Sequence, residues 1–140
     1  MSTAIQIGPR IVEGLYREAL VLSDEVRYCF APAKLDVPGA AGDDPSRIAL
    51  SAEGLRATTR MTHALAWLLN HRAYFMDEIS ESHLRRQGRL AAALLACDNG
   101  HLTMLPRHVA DLVARTVNFY QRLLRLDEAW RFTAPGTSAA

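Results

Sequence analysis

Between Pro45 and Met76 the chain returns an apolar or small residue to one line every third or fourth position: Ile48, Ala52, Leu55, Thr59, Thr62, Ala66, Leu69, Ala73 and Met76. Alternating steps of four and three belong to an α-helix, because a strand brings a side chain back to the same face every second residue. A second line, Met61, Leu65, Leu68 and Phe75, lies on another face. A helix apolar on two sides suits the centre of a bundle, covered by neighbours on both. Within the main line Ala52, Thr59, Ala66 and Ala73 recur every seventh position and let a partner helix come close, so the tightest packing is expected there. The sequence leaves open whether that partner is in the same bundle or in a second subunit. Thr58, Thr59 and Thr62 suit a helix interior if each hydroxyl bonds back to the preceding turn.

Two further segments carry the same period. Ile11, Leu15, Ala19, Leu22, Val26 and Cys29 form a stripe bracketed by Pro9, tolerated at a first helical position, and Pro32. Val109, Leu112, Val113, Thr116, Phe119, Tyr120, Leu123, Leu126 and Trp130 form another, opening near Pro106 and ending near Arg131. Residues 31–44, with Pro32, Pro38, Gly39 and Gly42, read as a loop, and Asp44 before Pro45 is a helix start. From Asp77 to Gly100 the pattern weakens around Gly88. A short, broken helix is predicted, with Ser80 as N-cap and Asn99-Gly100 as its end. No alternating strand pattern and no internal repeat is present. The expected fold is all-α: three long antiparallel helices in a bundle, plus a short helical segment between the second and third. The expected organisation is a flexible 1–8, a single domain over 9–131, and a flexible tail over 132–140.

The composition agrees and narrows the function. At 140 residues, 49% hydrophobic and 22% charged, the chain has one domain's length and can bury a core unaided. A formal charge of +1 argues against nucleic acid or an anionic membrane as partner. With no basic, apolar leader and no long uncharged run, a cytoplasmic location is expected. Cys29 and Cys97 lie in helix-like contexts without framework spacing and are read as reduced.

No residue set makes a convincing catalytic or metal site. The five histidines, at 63, 71, 83, 101 and 108, lack the Glu-x-x-His pairs that bundle metal sites use. Cys97 and His101 are the best local ligand pair, but Asn99-Gly100 is expected to break the helix between them. No nucleophile sits in a strained Gly-flanked turn, and no Gly-rich phosphate loop follows a strand. Neither enzyme activity nor a cofactor is therefore expected. Arg115, Arg122 and Arg125 are interspersed with Asp111, Asp127 and Glu128, which reads as a salt-bridged exposed face. Arg56, Arg60, His63 and Trp67 fall three or four apart on one side of the second helix. They read as a solvated edge or, as arginine and tryptophan dominate interfaces, as the first choice of partner surface.

Thr58-Thr59-Arg60-Met61, then Ala66-Trp67-Leu68-Leu69 and Arg72-Ala73, resemble the core signature of the RcdA family, regulators of CtrA degradation in alphaproteobacteria. Leu15-Tyr16-Arg17-Glu18-Ala19-Leu20 looks like that family's first helix, and Leu105-Pro106, Phe119-Tyr120 and Leu126-Asp127 like its third. The resemblance implies a three-helix bundle, a homodimer, acting as a non-enzymatic adaptor in ClpXP-dependent degradation of cell-cycle regulators. Its implied partners are a ClpX-type unfoldase, a response regulator or cargo adaptors. The tail is shorter than the one tied to function in the characterised member. Its closing residues, Ala139 and Ala140, resemble tags that such unfoldases engage. The alternative is a helical scaffold or interaction protein of the same fold with no protease connection.

Overall fold

The computed structural model describes residues 7–31 and 44–132. The expected loop and both expected flexible ends, Ala139 and Ala140 included, fall largely or wholly outside them. Three long helices dominate: α1 (Pro9–Cys29), α2 (Pro45–Phe75) and, after a stretch of short pieces, α5 (Arg107–Arg131). Those pieces are α3 (Glu81–Arg86), a 3₁₀ turn (Ala92–Leu95) and α4 (Asn99–Met104). No strand occurs among the described residues, so the all-α expectation holds.

Local chemistry sets the ends. The Asp44 carboxylate accepts from Ser46 N–H at 2.9 Å while Pro45 fills the first helical position, where no N–H is missed. Ser80 Oγ accepts from His83 N–H at 3.1 Å and opens α3. Asn99-Gly100 does the reverse of what was expected: it begins a helix. The Asp98 carboxylate takes Gly100 N–H at 2.8 Å and His101 N–H at 3.2 Å, so an N-cap prevails over the helix-ending tendency of Asn-Gly.

The packing pairs give the topology. Along α1 and α2, Glu13 meets Arg72 and Phe30 meets Gly54, so the numbers run in opposite directions. Along α1 and α5, Glu18 pairs with Arg122 and Glu25 with Arg115, again antiparallel. Across α2 and α5, Arg60 meets Thr116, Trp67 meets Asp127 and His71 meets Trp130, so these two are parallel. Only α1 is antiparallel to both others, because the short pieces carry the chain back before α5 begins. They form a strap over the α2–α5 groove. Gly88 stands against Asn70, Tyr120 reaches Ala91, Arg60 reaches Leu94 and Ala96, and Glu53 meets Asp98. Gly88 has φ +75°, and a Cβ there would lie 2.8 Å from Asn70 Nδ2, so the bend at that point needs glycine.

The core contains Val12, Leu15, Ala19, Leu22 and Val26 of α1, and Val109, Leu112, Val113, Phe119, Tyr120 and Leu123 of α5. Both stripes are near those expected, with Val12 taking the place of Ile11, which is exposed. The main line expected on α2 is not the core line. Buried instead are Ala49, Glu53, Ala57, Arg60, Ala64, Trp67 and His71, one residue round the helix, together with Met61 and Leu68 of the second line. The tightest approach is at Gly54, where a Cβ would stand 2.6 Å from the Phe30 ring, and not along the alanine line.

Candidate interaction surface

The burial of α2 divides the four residues first chosen as a partner surface. Arg60 is 0% and Trp67 1% exposed, so neither can meet a partner while the fold is intact. Arg60 spends its donors on the interior: Nε to Leu94 O at 2.7 Å, one terminal nitrogen to Thr116 Oγ at 2.8 Å, and the other toward Ala96 O at 3.4 Å and Cys97 Sγ at 3.8 Å. Burial lowers its pKa from the ordinary arginine value, with the nearby Cys97 and Glu53 working the other way. Trp67 donates Nε1–H to Asp127 Oδ1 at 3.0 Å, and Arg131 Nε lies 3.1 Å from both Asp127 oxygens. The Trp67, His71 and Trp130 rings form a cluster, His71 tilted against Trp67 with centroids 4.1 Å apart and edge-on to Trp130 at 5.2 Å, and Arg85 lies over Trp130. Desolvation drives His71 down to about 4, so it is neutral near pH 7. Sequence reasoning assumed that arginine and tryptophan at helical spacing must face outward. Here their polar ends are satisfied inside, which makes burial affordable.

Arg56 and His63 do lie on the outside. Arg56 reaches back to the buried Glu53 carboxylate, leaving its side chain partly exposed. Beside them runs the seven-residue line whose spacing predicts core. Ile48 is 50%, Leu55 70%, Leu69 47% and Met76 64% exposed, with Thr62 and Ala66 also exposed between them. Thr62 Oγ bonds back to Thr58 O at 2.8 Å, and Thr58 to Gly54 O at 2.8 Å, so both hydroxyls are satisfied within the helix. At the upper end Arg47, Ile48, Ser51, Ala52 and Leu55 line a shallow depression of about 380 Å³. The sole acid between Pro45 and Met76 is Glu53, and it is buried, so this face carries no exposed carboxylate of its own. A long, ordered, uncharged face with large residues alternating with small ones is unusual on a monomer surface. Its signal was in the sequence: a strict seven-residue repeat drifts relative to a straight helix, as coiled-coil seams do.

The other candidates resolve as follows. Arg115 and Arg122 are salt-bridged as expected, but to Glu25 and Glu18 of α1, bidentate at 2.6–3.0 Å, and not to acids of their own helix. Asp98 is held below the usual carboxylate range, chiefly by the His101 N–H. Among the described residues no three His, Cys, Asp or Glu side chains converge on a metal position, and Cys29 and Cys97 are not joined in a disulfide. No helix among them is long and apolar enough to cross a membrane.

These observations define an all-α protein: three long helices, a strap across one groove, and an uncovered apolar face on the central helix. The chain belongs to the family described as a protein of unknown function, DUF1465, whose model matches residues 4–140. No curated protein and no solved structure matches it.

Proposed function

We propose that this chain is a non-enzymatic, homodimeric adaptor, and that the exposed face of α2 is where it meets other proteins. The observation that carries the reading is the uncharged face of Ile48, Leu55, Thr62, Ala66, Leu69 and Met76, held rigid on the best-packed helix. Ile48, Leu55, Leu69 and Met76 on a seven-residue line that Thr62 completes, with Ala52, Thr59, Ala66 and Ala73 between them, suit close approach of a second α2 in knobs-into-holes fashion. Arg56 and His63 at its edge would set orientation and specificity, since rim charges act mainly on encounter and choice of partner. The resemblance of Thr58–Met61, Ala66–Leu69 and Arg72-Ala73 to the RcdA signature favours a role in ClpXP-dependent degradation, with an unfoldase, a response regulator or a cargo adaptor as partner and the cytoplasm as its place.

Sedimentation of the wild type against Leu55→Lys with Leu69→Lys tests the seam. A dimer that becomes a folded monomer is expected, and a wild type that sediments as a monomer at high concentration refutes it. Affinity capture from native extract, with Arg56→Glu plus His63→Glu as control, tests the role. Recovery of a ClpX-type unfoldase or response regulator by wild type, lost in the control, is expected. Their consistent absence would leave a scaffold of the same fold without a protease connection.

A further inference from the structure

The strap is held to the bundle by different means from the long helices. Between Asp77 and Pro106 only Leu84, Leu90 and Leu105 are buried, and the 3₁₀ turn and α4 bury no residue at all. Leu94, Leu95, Cys97 and Leu102 pack only half-buried against the core, and side chains from the α2–α5 groove reach across to the strap's main chain. Tyr120 Oη donates to Ala91 O at 2.8 Å, and Arg60 donates to Leu94 O at 2.7 Å and Ala96 O at 3.4 Å. The Glu53 carboxylate accepts Asp98 N–H at 3.3 Å. The stretch so gripped, Ala91-Ala92-Ala93-Leu94-Leu95-Ala96, has no polar side chain. Its identity is read only as small and apolar, while the bonds go to groups that every polypeptide has.

The far end of the strap is imperfectly closed. Glu53 Oε2 and His101 Nδ1 are both buried without a partner, although His101 Nδ1 lies 3.6 Å from the other Glu53 oxygen. Such atoms weaken the closed arrangement, because each has given up water for nothing in return. The long helices also touch one another directly, α2 and α5 through Arg60–Thr116 and Trp67–Asp127. Val12, Leu15, Ala19, Leu22 and Val26 of α1 and the two bidentate Glu–Arg pairs bind α1 to its neighbours independently of the strap.

We propose that the α2–α5 groove is a receptor for the main chain of a 3₁₀-turn segment, which the strap occupies in cis. Residues 88–104 leave it as a unit, with the three long helices intact, and give way to a segment of another chain that is rich in small apolar residues and takes the same turn. Arg60, Tyr120 and Glu53 are then the binding groups, presenting to the incoming chain the donors and acceptor that now hold Ala91, Leu94, Ala96 and Asp98. This reading stands whether or not the α2 face is a dimer seam.

Hydrogen exchange on the intact chain tests the first half. Amides of residues 91–104 should exchange at least about tenfold faster than the central amides of α2 and α5, as local opening requires. In Leu90→Ala with Leu105→Ala, which loosens the strap without touching the groove's polar groups, strap exchange should rise about tenfold again while α2 and α5 keep their protection. Leu90→Ala alone is the milder version if the pair unfolds. Strap and long helices exchanging at one common rate in wild type would overturn the proposal. A fluorescent peptide of residues 89–98, with serine for the cysteine, tests the second half. It should bind the loosened variant at least about tenfold more tightly than wild type, and Arg60→Lys in that background should remove most of the binding. A variant whose strap exchanges freely yet binds no peptide, or binds it regardless of residue 60, would equally sink the idea.

Discussion

The two sides of α2 are built from different chemistry, and the cause is what covers each. Toward α1 it meets a regular helix that satisfies its own main chain, so the contact needs only shape: Phe30 against Gly54, with ion pairs such as Glu13–Arg72 left at the edge. Toward the strap it meets irregular backbone that satisfies only part of its own main chain, Ala91 O accepting from Leu94 N–H while Leu94 O and Ala96 O accept from Arg60. There α2 and α5 bury Glu53, Arg60, Thr116 and Tyr120 to supply partners. Glu53, Arg60 and Tyr120 therefore mark where the covering segment is irregular, as the accounting of main-chain hydrogen bonds demands, whereas the buried His71 and Asp127 are held by side chains of α2 and α5.

Three measurements probe that contrast. The largest effect belongs to the strap side. Arg60→Met removes the donors to Leu94 O, Ala96 O and Thr116 Oγ, and an unfolding free energy lower by about 4 kcal/mol is expected from the unsatisfied acceptors. Chemical denaturation reads it, and a loss under about 1 kcal/mol would mean that the strap relaxes without Arg60.

Slightly smaller is the effect of acid on the aromatic end. The His71 pKa falls to about 4 in the fold through desolvation, against 6.5 when unfolded, so between those values the unfolded chain binds the extra proton. Stability from this group is complete above pH 6.5 and is lost as pH falls toward 4, by about 3 kcal/mol in all. Thermal melts of wild type and His71→Gln over that range should converge as the pH drops. Parallel curves would show that His71 is not the group responsible.

The smallest effect is expected on the α1 side. Arg115→Ala or Arg122→Ala breaks a bidentate but half-exposed pair, and each should change stability by no more than about 0.5 kcal/mol, less still in high salt. A loss comparable to that of Arg60→Met would erase the distinction between the two sides.

The same contrast explains what could be read from the sequence. The lines of α1 and α5 were legible because each meets one interior with one apolar stripe, and Pro9, Asp44-Pro45 and Ser80 marked helix starts by chemistry that is local. The rotation of α2 was not legible. Its core line holds Glu53, Arg60 and His71, whose acceptability depends on Asp98, Leu94, Asp127 and other groups far along the chain, whereas its exposed line is uniformly apolar or small. A pattern rule judges polarity residue by residue and so chose the wrong face for the interior. Arg60 and Trp67 were misplaced as surface anchors for the same reason. Leu55 and Leu69 passed as packing residues when they are the exposed ones.

The parallel arrangement of α2 and α5 also orders the route by which the chain is assembled. α1 and α2 can pair as a helical hairpin as soon as both exist, whereas α5 has no place until the chain has travelled back along its neighbour. A ribosome making the protein from its N-terminus therefore releases α1 and α2 before the helix that brings Asp127 to Trp67 and Thr116 to Arg60. Until then the half-built bundle holds an indole and a guanidinium that water must serve, and the change in tryptophan emission when α5 docks gives a clock for the final step of folding.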